Sequence, residues 1–292
     1  MSQQPCLSPS PAVPAETLPY KKTSDLANRL LATLASYQSC VVAFSAGVDS
    51  TVVAAAAQRA LGSRALAVTG TSASLPAGEL DQARELAARI GIRHQIIATD
   101  EFNEAAYVQN APDRCFHCKT ELYQRLEHIR LAQGLAVIVN GANVDDLGDY
   151  RPGMQAAANY HVRSPLVECQ IDKSGVRAIA EYWQLPIWDK PAAPCLSSRV
   201  AYGQAVTPER LQMIDKGEAW LRERGFRVAR VRYHAGDLAR IEVESPQIAR
   251  LCADPLRGEL EAALRAFGWK YVTVDAAGFR SGSQNELLPI LG

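Results

Sequence analysis

The stretch Cys40-Val41-Val42-Ala43-Phe44-Ser45-Ala46-Gly47-Val48-Asp49-Ser50-Thr51-Val52-Val53 decides the fold. Its first five residues form an apolar run that reads as a buried strand. The small residues that follow read as a turn, and Thr51-Val52-Val53-Ala54-Ala55-Ala56-Ala57 continues as a helix. A strand that turns sharply into a helix leaves backbone N–H groups and the positive end of the helix dipole pointing outward, a site fit for phosphates. The pattern is not the Gly-x4-Gly-Lys-Ser/Thr loop, because no lysine follows the glycine to grip a terminal phosphate.

Outward from this stretch, the chain alternates. Leu26, Leu30, Leu31 and Leu34 lie at helical spacing ahead of the strand, and the helix after the turn should end near Gly62. A strand is expected over 65–69, an amphipathic helix over 79–90 closed by Gly91, a strand over 93–98, a helix over 120–132 and a strand over 136–140. Serial β-α-β units with apolar strands imply an α/β fold, a parallel sheet with helices on both faces. The loops at 45–50, 69–74 and 141–146 all follow strands, so they should share the carboxyl edge where such sheets bind ligands. Beyond Tyr202-Gly203 the character changes. Thr207 is placed as an N-cap with Pro208 at the first helical position, and that helix should run to Gly225. A hairpin over 227–233 and 239–243, a helix over 260–267 and a strand over 271–274 complete a smaller C-terminal α+β domain. The expected organisation is a tail at 1–23, a nucleotide domain at 24–204 and a substrate-binding or oligomerisation domain at 205–292.

Composition narrows the partners. The 292 residues carry 31 acids and 31 bases, so net charge gives no reason to expect nucleic acid or a membrane surface. The apolar runs are too short to span a bilayer. Residues 1–20 hold five prolines and no basic-then-apolar leader, which reads as a disordered tail. Seven cysteines without an export signal suggest reduced thiols put to metal or catalytic use, in the cytoplasm.

Cys115-Phe116-His117-Cys118 places two thiols at the mouth of a helix, and Cys195 lies in the loop Pro194-Cys195-Leu196-Ser197-Ser198-Arg199. A Cys-x2-Cys pair alone fits half a zinc site, a redox pair or coincidence. Zinc wants a second such pair, which the chain lacks, and a redox pair belongs after a first strand that here carries the phosphate loop. Three neighbouring thiols suit a [4Fe–4S] cluster, which normally takes four. Arg199 and Lys190 are the expected cations beside Cys195. Cys40 and Cys252, in apolar periodic segments, read as buried inert thiols.

The Ser45–Ser50 turn resembles the Ser-Gly-Gly-x-Asp-Ser pyrophosphate loop of enzymes that split ATP to AMP, with Ala46 in place of a glycine. That exchange is mild provided residue 46 needs no positive φ. Together with Gly141-Ala142-Asn143-Val144-Asp145-Asp146-Leu147-Gly148-Asp149-Tyr150-Arg151-Pro152-Gly153 and Pro194–Arg199, it resembles the LarE-type ATP-dependent sulfur transferases from about residue 24 onward. The resemblance implies a PP-loop, adenine nucleotide alpha hydrolase-like domain that uses Mg-ATP to adenylate a carboxylate of pyridinium-3,5-biscarboxylic acid mononucleotide. Sulfur then displaces AMP to give a thiocarboxylate in nickel-pincer nucleotide biosynthesis, the cofactor of lactate racemase-type enzymes. It implies Ser45, Ala46, Gly47, Val48, Asp49, Ser50, Thr51, Ser72 and Gly141 at ATP and pyrophosphate, with Asp49 toward Mg²⁺ and Asp145 and Asp146 in support. It implies a catalytic and cluster-binding set of Cys115, Cys118 and Cys195, the three-cysteine [4Fe–4S] form of the family, where single-cysteine members surrender the sulfur of the residue matching Cys195. A homo-oligomer is implied as well.

Arg230 and Arg232 share one strand face and suit the substrate phosphate, with Arg199 and Glu218 as supporting residues by the same resemblance. Arg222, Arg224 and Arg227 read as a solvated face. The alternatives are a cluster-dependent tRNA-thiolating enzyme, a sacrificial use of Cys195 sulfur, and a non-catalytic carrier.

Overall fold

In the computed structural model, residues 18–148, 152–191 and 194–280 are described. The elements are α1 (Leu18–Ser36), β1 (Cys40–Ala43), α2 (Val48–Leu61), β2 (Ala65–Thr71), α3 (Glu79–Ile90), β3 (Arg93–Ala98), α4 (Ala105–Val108), α5 (Arg114–Ala132), β4 (Val137–Val139), α6 (Pro152–Asn159), α7 (Pro165–Glu168), α8 (Lys173–Tyr182), α9 (Pro208–Glu223), β5 (Ala229–His234), β6 (Leu238–Val243), α10 (Ile248–Leu251), α11 (Leu256–Ala266) and β7 (Tyr271–Val274). The helix α1 begins at Leu18, so residues 18–23, read above as tail, are helical; residues 1–17 lie outside the described residues. The helix α5 begins six residues before the expected Thr120, which carries Cys115 and Cys118 into its first turns.

The four strands of the first sheet are parallel in the order β3-β2-β1-β4. Along β1 the side chains alternate between two cores. Cys40 and Val42 join α1, α2 and α8 on one face, while Val41 joins Tyr123 and Leu126 of α5 on the other. Both faces of β1 are covered, which is why 40–44 reads as an unbroken apolar run. The chain moves outward from β1 through β2 to β3 and then returns to β4 on the other side. The reversal lies between β1 and β4, where open parallel sheets bind ligands.

The second sheet is mixed, with β5 antiparallel to β6 and β7 parallel to it. Thr207 caps α9 by accepting from Arg210 N at 3.4 Å, with Pro208 in the first turn. The core under this sheet also takes in Phe102, Tyr107, Val108 and Cys118 from the first half and Leu196 and Val200 from the Cys195 segment, so its packing crosses the boundary expected near 203–207. Among the described residues no helix is long and apolar enough to cross a membrane.

Candidate active site

The loops at 45–50 and 141–146 meet at the reversal point. The helix α2 starts at Gly47 as N-cap with no side-chain cap, so its first N–H groups remain available to an anion. Ser45 Oγ and Ser50 Oγ lie 3.1 Å apart, and Ser50 Oγ donates to Gly47 O at 3.1 Å, folding the turn on itself. Val48, Ser50 and Thr51 are buried. Ala46 takes φ +57°, so the condition set for its exchange with glycine is not met, and a fully buried alanine is held in the left-handed region. Gly141 stands so close to this loop that a Cβ would come 2.7 Å from Ser50 N and 3.0 Å from the Asp49 carbonyl carbon.

Asp49 is engaged on both oxygens. Asn143 Nδ2 donates to one at 3.0 Å, and Lys173 Nζ, from the start of α8, pairs with the other at 2.5 Å. The motifs did not point to Lys173, which enters from 124 positions away. Asp145 accepts from Lys173 N and Asp146 from Asn143 N, both at 3.0 Å, so this loop and the head of α8 form one frame around Asp49.

Ser72 is tied to a buried acid absent from the expectations, Glu101, which follows β3. Ser72 Oγ donates to Glu101 Oε1 at 2.5 Å and Ser74 Oγ at 3.2 Å, while Glu101 Oε2 is buried with no hydrogen-bond partner among the described residues. Ser74 O in turn accepts from Leu196 N at 2.9 Å. Cys195 is thereby joined to the nucleotide edge through its neighbour.

Cys115 is exposed, whereas Cys118 and Cys195 are half-buried. Burial pushes the Cys118 thiol up to about 12; Cys195, Glu101 and Cys115 add to the rise and Lys119 opposes it, so the sulfurs of Cys195 and Cys115 both lie within electrostatic reach of Cys118. The cations beside them are not the expected ones. Lys190 pairs with Glu79 at 2.7 Å and also contacts Gln82. Arg199 forms a buried two-point pair with Glu218 (2.9 and 3.2 Å) while donating to Pro194 O and Cys195 O (2.5 and 3.0 Å). That arrangement fixes the backbone of the Cys195 loop instead of serving its sulfur. The cations that reach the thiols are Arg114 and Lys119. For Arg114, burial works against the charge, but Cys195 and Cys115 outweigh it and hold the guanidinium above its ordinary value. Among the described residues no three His, Cys, Asp or Glu side chains are gathered tightly enough to hold a metal ion. Cys40 is buried, but Cys252, expected to be buried, is exposed.

Arg230 and Arg232 follow the strand period, and Arg232 is drawn back by Glu242, to which it donates at 2.8 Å across the β5–β6 pair. Arg230 Nη1 donates to Ala229 O at 2.7 Å. Burial and the charge of Arg199, then of Arg232, push Arg230 down to about 10, so it stays a cation at neutral pH in surroundings that favour a bound anion. Glu218 also accepts from Val231 N at 3.2 Å, so it braces β5 and the Cys195 loop together.

A parallel sheet whose first strand opens into a lysine-free phosphate loop at the order reversal belongs to the PP-loop ATP pyrophosphatase class, and residues 26–132 match the asparagine synthase family. The sequence is 35% identical to the pyridinium-3,5-bisthiocarboxylic acid mononucleotide synthase of Lactiplantibacillus plantarum, over 89% of this chain and 93% of that protein. It is 45% identical to an uncharacterised protein of Synechocystis sp., over 85% of this chain and 92% of that one. A glutamine-hydrolysing GMP synthase of Aeropyrum pernix is 30% identical over 63% of this chain, which covers 39% of that protein. The chain belongs to the LarE family, that of the L. plantarum synthase, and is an ATP-dependent sulfurtransferase.

Proposed function

We propose that the enzyme uses Mg-ATP to adenylate a carboxylate of pyridinium-3,5-biscarboxylic acid mononucleotide and then replaces AMP by sulfur at Cys115, Cys118 and Cys195. The observation that carries this reading is the short chain Ser72–Glu101–Ser74–Leu196, which couples the nucleotide edge to the cysteine loop. A carboxylate is a poor electrophile because its leaving group would be oxide. Attack of its oxygen on the α-phosphorus expels pyrophosphate and leaves an acyl carbon whose leaving group is AMP. The uncapped start of α2 receives the pyrophosphate charge. The Asp49–Lys173 pair separates as Mg-ATP enters, Asp49 turning to the metal and Lys173 to phosphate oxygens. Arg230, with Arg232 behind it, holds the substrate phosphate. Arg199 and Glu218 keep the Cys195 loop facing the acyl carbon. Sulfur attacks that carbon and AMP departs.

The three thiols are suited to a [4Fe–4S] cluster. Cys115 and Cys195 both interact electrostatically with Cys118, and the three would hold the cluster by three of its usual four thiolates. Bound there, such a cluster would supply the sulfide-level sulfur that replaces AMP. The test is AMP release from Mg-ATP given either the dicarboxylate mononucleotide or bulk tRNA. Release with the mononucleotide is expected; release with tRNA alone would overturn the reading in favour of a tRNA-thiolating enzyme.

A further inference from the structure

The phosphate loop leaves the sheet at Phe44, and both polar groups of that residue's backbone are held from β2. Phe44 N donates to Val68 O at 2.9 Å, and Thr69 Oγ1 donates to Phe44 O at 2.8 Å. His94 Nε2, on β3, lies 2.9 Å from the same Thr69 oxygen. A threonine hydroxyl carries one proton, and Thr69 gives it to the Phe44 carbonyl, so toward His94 it accepts. The donor count thus assigns a proton to His94 Nε2 and sets the direction of the relay, from β3 through β2 to the end of β1. The His94 ring also stands edge-on to the Phe44 ring, with centroids 5.6 Å apart at 87°. Phe44 and Thr69 are 2% and 3% exposed, so water does not compete for these bonds.

Two residues further on, Ala46 is fully buried at φ +57°. Strain of this kind persists only where the surroundings over-determine the backbone. The contacts among Ser45, Ser50 and Gly47 tie the loop to itself and leave open the angle at which it departs. That angle is set at the Phe44 peptide, where the relay ends.

We infer that Thr69 and His94 are positioning residues for the phosphate loop: His94 orients the Thr69 hydroxyl, which pins the Phe44 carbonyl and so aims the loop N–H groups at the pyrophosphate half of ATP. The inference rests on the reading above that the start of α2 receives pyrophosphate. Neither side chain touches the nucleotide on this account. Both act through one peptide, so their effect falls on the phosphates and spares the nucleoside.

The test titrates the full chain, in Mg²⁺, with pyrophosphate and separately with AMP, by isothermal calorimetry. Thr69→Val keeps the shape and β preference of the side chain but leaves the Phe44 carbonyl buried without its hydroxyl donor. It should weaken pyrophosphate binding about tenfold, near the worth of one hydrogen bond, and AMP binding less than about twofold. Thr69→Ser restores the hydroxyl and should bind pyrophosphate within about twofold of wild type. His94→Phe keeps a ring and removes the Nε2 donor, with an expected loss of about threefold. Added to Thr69→Val, it should cost nothing more, because it acts through the missing hydroxyl. Melting curves confirm folding, and His94→Phe carries the test should Thr69→Val not fold. Equal weakening of pyrophosphate and AMP, or a Thr69→Val variant that binds pyrophosphate like wild type, would overturn the inference and leave the ATP reading in place. A wild type that binds neither ligand would overturn both.

Discussion

Ala46 shows how opposed terms settle at one residue. The left-handed φ costs an alanine about 1–2 kcal/mol, which glycine would relieve. Glycine would return about 0.5–1 kcal/mol through a looser unfolded chain, and about 0.8 kcal/mol through loss of a buried methyl. The terms nearly cancel, so Ala46→Gly should leave stability within about 1 kcal/mol of wild type. Ala46→Val, branched at the same φ, should lose more than about 2 kcal/mol. Denaturant melts of the two variants decide, and a valine variant as stable as wild type would contradict the strained loop. Gly141 is tighter. Its added Cβ meets the backbone of Ser50, which cannot swing aside as a side chain would, so Gly141→Ala should cost about 1–3 kcal/mol of stability and cut ATP-dependent AMP formation about ten- to a hundredfold. Both positions were visible in the sequence because each follows an apolar strand. Lys173 was not, since a lone lysine at a helix start gives no sign that it meets an aspartate 124 positions earlier. Arg114 stood beside the cysteine pair and was passed over, because a flanking arginine is ordinarily a solvated one.

Among the elements, those with strong periodicity were the legible ones. The run 40–57, the helix closed by Gly91 at φ +77°, and the capped start of α9 all lie where pattern and turn chemistry place them. The start of α5 was missed because Arg114–Lys119 lacks an apolar stripe, the helix there being held by tertiary contacts of Arg114 and Cys118. The bracing of the Cys195 segment against α9 and β5 was equally hidden, for it depends on a buried ion pair. Glu218→Gln would take the buried carboxylate away from Arg199, and should cost about 3–5 kcal/mol by chemical denaturation. A loss under about 1 kcal/mol would show that the pair does not brace the loop. Two strands also carry a pH dependence. His94 on β3 is held below its ordinary 6.5 by burial and then Arg84, and His234 on β5 by burial and then Arg240 and Arg232. The unfolded chain therefore takes up these protons first. Stability should be full above about pH 6.5 and fall as pH drops through that value toward the lowered native ones. His94→Gln should flatten part of the fall; denaturation midpoints that stay level between about pH 7.5 and 5.5 would contradict it.

At the scale of the whole molecule, the two sheets are functionally one body. The first supplies the phosphate loop and the second the arginines, and the core between them is shared by Tyr107, Cys118, Leu196 and the β5–β6 pair. On the proposed reading, the cysteines at that seam face both the nucleotide and the substrate phosphate held by Arg230. The central claim is that ATP-driven sulfur transfer takes place at this three-cysteine seam. The most direct test counts thiocarboxylate formed per chain, by mass spectrometry, from excess Mg-ATP, dicarboxylate mononucleotide, sulfide and reductant under anaerobic conditions. More than one product per chain is expected from the wild type, and none from Cys115→Ala, Cys118→Ala or Cys195→Ala. Product at no more than one per chain, surviving in Cys115→Ala and Cys118→Ala but not in Cys195→Ala, would contradict the claim and make Cys195 a donor consumed by its own reaction.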